Sequence, residues 1–160
     1  MSGNASPASA PERLGRAVLD AASNAIIYAD REGVIRFWNP GAERLFGFTA
    51  AEAEGRSLDI ITPEPQRAQH WAGYHRVMAT GESRYGHGDV LAVPGLRKDG
   101  TRISLEFMSV PIRSADGRME GIMAVLRDVT RRFEEVRALR REIAALKGGS
   151  SPAASSRTGA

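Results

Sequence analysis

Residues Gly33–Phe48 read GVIRFWNPGAERLFGF, and this stretch decides the fold. Val34 to Trp38 is a short apolar run with strand alternation, placing Ile35 and Phe37 on one face and Val34 and Arg36 on the other. Asn39 and Pro40 follow at once. Asn is a preferred helix N-cap and Pro a preferred first helical residue, so the strand hands directly to a helix through Ala42, Leu45 and Phe46, stopped by Gly47. Upstream, Ala25 to Ala29 is a second apolar run. Asp30-Arg31-Glu32-Gly33 joins the two with turn chemistry, and Gly33 supplies φ > 0. The stretch is therefore the second half of a β-hairpin followed by a capped helix.

Outward from this hairpin, Leu14, Val18, Leu19 and Ala22 place a short amphipathic helix before it. After it come a capping box at Thr49 and Glu52, a short helical piece over 57–61, and a longer helix from about Pro65 to Thr80 with Gly81 as its stop. The period then changes to strands. These run Asp89 to Leu96, a turn at Arg97-Lys98-Asp99-Gly100, Arg102 to Ile112, and Gly121 to Arg127. Two strands, several short helices and three strands predict an α+β fold: one five-stranded antiparallel sheet with short helices on one face, plus a C-terminal amphipathic helix. The predicted core is Ile26, Ile27, Ile35, Phe37, Leu45, Phe46, Ile60, Ile103, Leu105, Phe107, Met123 and Val125.

Composition narrows the function. With 160 residues, 42% hydrophobic and 26% charged, the chain suits one domain with tails. Residues 1–11 and 148–160 are low in apolar content and read as disordered tails around a domain over 12–130 and a helix over 131–147. The absence of cysteine excludes disulfides, thiolate metal sites and flavin photochemistry through a cysteinyl adduct. No apolar run approaches the ~20 residues of a membrane span, and the N-terminus lacks signal-peptide character, so a cytoplasmic location is expected. The net charge of +3 is dispersed, with no basic stripe carrying interleaved aromatics, which argues against nucleic acid as a partner. No phosphate loop, nucleophile elbow or carboxylate pair is present, and no enzymatic activity is expected.

Taken together, Gly33–Asn39, Asn39–Phe48, Leu96–Thr101 (LRKDGT) and Leu126–Thr130 (LRDVT) resemble the PAS superfamily in its S-box form, over about Leu19 to Thr130. The resemblance implies a pocket between sheet and helices that takes haem, flavin, small acids or nothing, and a tendency to dimerise. The segment Pro63 to Arg76 (PEPQRAQHWAGYHR) is similar to the matching helix of haem-PAS gas sensors. This likeness implies haem b held by His70 as the metal ligand, with Arg76 and Arg84 as partners for its propionates and Phe107 on the distal wall. Those sensors place an oxygen-binding arginine where this chain has Val90, and an apolar residue where it has Ser109. The departure favours carbon monoxide, nitric oxide or a redox role over an oxygen switch. His75, five positions after His70, lies on another helical face and cannot readily share a metal with it, and His87 lies in a Gly-rich loop. The competing reading is a cofactor-free dimerisation module that regulates a partner kinase or transcription factor.

After the LRDVT motif, Val129, Phe133, Val136, Leu139, Ile143 and Leu146 follow at spacings of four, three, three, four and three, nearly a heptad seam with one irregular step at Leu139. The expected partner is a second copy of the chain, joined through this helix, with a downstream signalling protein beyond it.

Overall fold

The computed structural model describes residues 8–82 and 91–148. Helix α1 spans Ala10–Ala21, followed by β1 (Ala25–Asp30), β2 (Ile35–Trp38), α2 (Pro40–Phe46) and α3 (Ala50–Ala53). A 3₁₀ turn over Leu58–Ile60 leads to α4 (Glu64–Thr80), and the chain finishes with β3 (Leu91–Leu96), β4 (Arg102–Arg113), β5 (Met119–Asp128) and α5 (Thr130–Gly148). The strands form one antiparallel sheet in the order β2-β1-β5-β4-β3. This is the α+β architecture expected from the sequence. The described chain divides into two units, one through Asp128 and one from Val129 onward.

The hairpin forms as its turn residues dictate. Gly33 has φ +76°, and the Asp30 carboxylate accepts hydrogen bonds from the backbone N–H groups of Glu32 and Val34. Asn39 caps α2, its Oδ1 accepting from Ala42 N at 2.9 Å. Helix α1 begins at Ala10, inside the stretch read as a tail, because Ser9 and Glu12 form a reciprocal capping box and Pro11 occupies the first turn. Its stripe is not buried in this chain: Leu14 is 66% exposed and Val18 58% exposed.

Two register details depart from the expected core. The β1–β2 pairing slips between Tyr28 and Ala29, so Ile35 opposes Ala29 while Trp38 opposes Ile27. This bulge sends both Ile35 and Trp38 inward and leaves Phe37 half-buried, whereas uninterrupted alternation pairs Ile35 with Phe37. In β5 the inner face carries Ile122, Ala124 and Leu126, opposite Ala29, Ile27 and Ala25. Met123 and Val125 therefore point to the other face, not into the core. Gly121–Leu126 is apolar at nearly every position, so period-two reasoning cannot say which set faces inward. Leu45, Ile60 and Phe107 are half-buried against the core, and Leu58 and Ile61 fill the place expected of Ile60.

The inner face is covered by α2, α3, the 3₁₀ turn and α4. Its core includes Ile27, Ile35, Trp38, Phe46, Ile103, Leu105 and Leu126. The outer face carries Ile26, Tyr28, Met108, Val110, Ile112, Met123 and Val125. Of these only Ile26 is buried, and Met108 is 43% exposed. Among the described residues no helix is long and apolar enough to cross a membrane.

Candidate functional site

Helix α4 is held against the sheet along one edge and leaves a void along the other. Its N-terminal turn is tied by Arg67, which donates to the carbonyls of Thr62 (3.2 Å) and Asp59 (3.3 Å). Trp71 lies over Gly33, where a Cβ would come within 2.3 Å of the indole, and its Nε1 donates to Asp59 Oδ1 at 2.8 Å. Gly33 thus answers two demands at once, a positive φ and the room for this ring. One turn on, the buried Tyr74 hydroxyl meets the carbonyl oxygens of Ala29 (3.1 Å) and Asp30 (2.5 Å), and burial pushes its pKa well above the usual tyrosine value. At the C-terminal end, Arg113 donates to Gly81 O and to Gly117 O, each at 3.1 Å, fastening the last turn of α4 to the β4–β5 hairpin.

Between these anchors, Gln66, His70, Gly73 and Val77 follow one another at helical spacing along the face of α4 that looks onto the sheet. Beneath them the sheet presents Ala29, Ala124 and Ser109 among Ile27, Leu105, Phe107 and Ile122. The short side chains below, and the missing one at Gly73 above, leave a cavity of about 330 Å³.

His70, Tyr74 and Arg76 are ionisable groups on the cavity wall. Burial pushes the His70 pKa below the ordinary value of 6.5. The Asp59 carboxylate partly offsets this and His75 reinforces it. The imidazole is therefore neutral near pH 7, the form that coordinates metals. His70 Nδ1 and Gln66 Oε1 are both buried without a hydrogen-bond partner among the described residues. The His70 ring lies edge-on to Trp71, with centroids 4.9 Å apart.

Of the residues singled out by the sequence, His70, Arg76, Phe107 and Ser109 all line this one cavity. Arg84 and Val90 lie outside the described residues, as does His87. His75 is exposed and stacks on Trp71 instead, with centroids 5.9 Å apart. Among the described residues no three His, Asp or Glu side chains come together as a metal cluster. Sequence reasoning missed Gln66, Gly73, Ala29 and Ala124. Gln66 stands four residues before His70 on the same helical face, a spacing that could have flagged it. A haem needs a neutral imidazole, walls of carbon and a cation at its edge, and His70, the sheet wall with Phe107, and Arg76 are residues of those types. Metal-bound histidines almost always donate their other ring N–H, and His70 Nδ1 meets no acceptor among the described residues.

The chain is similar to known proteins. Sensor protein FixL of Bradyrhizobium diazoefficiens is 37% identical over 87 residues, covering 54% of this chain and 17% of that protein. The chain spans about a sixth of the length of the curated relatives it matches, 17% in each case. Among solved structures, a PAS domain from Colwellia psychrerythraea superposes with a TM-score of 0.65 at 24% identity, covering 74% of this chain and 97% of that one. An RNA-binding light-oxygen-voltage receptor superposes with a TM-score of 0.66 at 27% identity, covering 90% of this chain and 42% of that one. Residues 19–134 match the PAS fold family, which takes in the whole sheet, the helices over its inner face and the start of α5, and the chain belongs to that family.

Proposed function

We propose that this PAS domain binds a small ligand in the cavity between α4 and the sheet, that His70 is the polar contact for that ligand, and that haem b is the ligand its chemistry suits. The observation that carries the reading is a neutral, largely buried imidazole on the wall of a mainly apolar cavity of about 330 Å³, with the buried Gln66 amide oxygen one turn before it. Small-molecule sites span roughly 300–1,000 Å³ and combine apolar walls with a few placed polar groups. When bound, haem supplies an iron centre that takes a diatomic gas or changes oxidation state. The chain's own residues do the rest. His70 stays neutral because burial opposes its protonation, Phe107 and Ser109 form the sheet wall, and Arg76 offers a guanidinium to a carboxylate at the cavity edge.

On this reading the role of the site is binding rather than catalysis. The output is α5. Arg97 Nη2 donates to Asp128 Oδ2 at 2.5 Å, tying the β3–β4 hairpin to the end of β5 one residue before Val129. On this reading the domain works as a homodimer and acts on a downstream signalling protein.

Titration of the purified protein with haemin should develop the intense violet absorption of a bound porphyrin at equimolar ratio, and His70→Ala should lose it. Mass spectrometry of an organic extract identifies any other occupant. Equal haemin binding by wild type and His70→Ala excludes coordination by His70. A protein that takes up neither haemin nor a co-purifying molecule is the cofactor-free interaction module.

A further inference from the structure

We infer that Gln66 is the positioning residue for His70: its side-chain carbonyl accepts the Nδ1–H of the imidazole and so fixes the tautomer whose Nε2 keeps its lone pair for a ligand. The inference rests on the ligand-binding role proposed for His70. Gln66 Oε1 and His70 Nδ1 are both buried, and neither has a hydrogen-bond partner among the described residues. Gln66 stands one helical turn before His70, and both line the cavity. Helical side chains lean toward the N-terminus, so the imidazole leans back over the glutamine. The terminal torsion of a glutamine is broad, and turning the amide onto Nδ1 costs little. A buried polar atom without a partner is costly, and here one bond between neighbouring turns satisfies an acceptor and a donor together.

The groups that pack on the ring or act on it by charge are engaged elsewhere. The Asp59 carboxylate accepts from Trp71 Nε1 at 2.8 Å and has Arg67 Nε 3.8 Å away. The Tyr74 hydroxyl is turned to the carbonyl oxygens of Ala29 and Asp30. His75 is exposed and stacks on Trp71. Arg67 ties the first turn of α4 to the carbonyls of Thr62 and Asp59, which holds the backbone at Gln66 and leaves its side chain to turn. A glutamine suits the task because it accepts as a neutral group and puts no charge into a mainly apolar cavity. The nitrogen that carries the imidazole proton is set by the bond the other nitrogen makes. With no acceptor at Nδ1, the proton sits mainly on Nε2, the nitrogen that must be bare to bind.

The chain has three histidines, so heteronuclear NMR correlating ring nitrogens with ring protons resolves their tautomers, and the signal lost in His70→Gln identifies His70. On the full chain at about pH 8, where a histidine is neutral, the wild type should show His70 as the Nδ1–H tautomer. Gln66→Leu should move it to Nε2–H, and Gln66→Glu, which keeps an acceptor, should hold Nδ1–H. In the haemin titration Gln66→Leu should bind about 10- to 100-fold more weakly than the wild type, and Gln66→Glu should restore the affinity. A wild type in the Nε2–H form, a tautomer unmoved by Gln66→Leu, or equal haemin affinity in the wild type and Gln66→Leu overturns the inference. The wild-type tautomer needs no substitution, so it decides even where Gln66→Leu fails to fold. The two readings fail separately. A wild type that takes up no haemin while its tautomer follows Gln66 removes haem and leaves the pairing, whereas haemin bound through His70 with an Nε2–H tautomer in the free protein removes the pairing and leaves haem.

Discussion

Asn39 shows how much one side chain can organise. It is 1% exposed, and both ends of its amide are in use. Oδ1 accepts from Ala42 N and Ile26 N, while Nδ2 donates to Leu19 O and Asn24 O. The end of α1, the start of β1 and the start of α2 therefore meet on one residue. Asn39→Ala removes the cap and strands buried carbonyls and an N–H, so denaturant unfolding should show a loss of about 2–3 kcal/mol. A loss below about 0.5 kcal/mol would show that water replaces the amide at little cost. His70 gives a second prediction at this scale. Its pKa is lowered in the folded protein by burial first, against 6.5 when unfolded. Below pH 6.5 the unfolded chain binds the proton and the folded chain resists it, so the unfolded state carries more protons and stability falls as pH falls from 6.5 toward the lowered folded value. Above 6.5 the contribution is constant. The wild type should lose more stability between pH 7.5 and 5.5 than His70→Gln does, and parallel pH profiles for the two proteins would contradict the burial of His70.

At the scale of elements, α4 carries the site because its two edges differ. Trp71, Tyr74 and Met78 bind it to the sheet side, while Gln66, His70, Gly73 and Val77 stand over the void. Gly73 is the position where the void can be tested without breaking an anchor, since nothing lies within 4 Å of where its Cβ would be. Gly73→Ala should stabilise the helix by about 0.5–1 kcal/mol through propensity alone. Gly73→Leu should raise the melting temperature further by filling the cavity and should abolish ligand uptake. A destabilised Gly73→Leu protein, or one that still takes up haemin as the wild type does, would place the ligand elsewhere. The helix itself was legible from about Pro65 to its stop at Gly81, as was the candidacy of His70. The void was not, because Ala29, Ala124 and Ser109 come from three strands and read in sequence as ordinary small residues.

For the whole molecule, the distribution of apolar surface matters most. The inner sheet face is covered by helices, while the outer face keeps Met108, Val110, Met123 and Val125 at least partly exposed, and α5 exposes Val136, Leu139 and Ile143. Burying such side chains at an interface contributes roughly 1.5–3 kcal/mol for each one fully buried, before association costs. Val136→Glu with Ile143→Glu should therefore shift the protein toward monomer by sedimentation while its far-ultraviolet circular dichroism keeps the sheet signal. A dimer unchanged by both substitutions would move the interface to the outer face of the sheet.

Local chemistry alone determined the hairpin at Asp30–Gly33, the cap at Asn39, the helix stops at Gly47 and Gly81, and the order of elements that defines the family. Each depends on residues close in the chain, where backbone sterics and capping hydrogen bonds act without help from elsewhere. Tertiary structure alone decided which face of β5 is buried, because Ile122 to Leu126 offers apolar side chains both ways and only pairing with β1 and β4 selects one set. It decided that Trp38, not Phe37, joins Ile35 in the core, because a bulge is a property of two paired strands. It also decided that a cavity exists, since an empty volume belongs to no residue: it is what remains when Gly73 of α4 is suspended over three small side chains by anchors at Trp71, Tyr74 and Arg113.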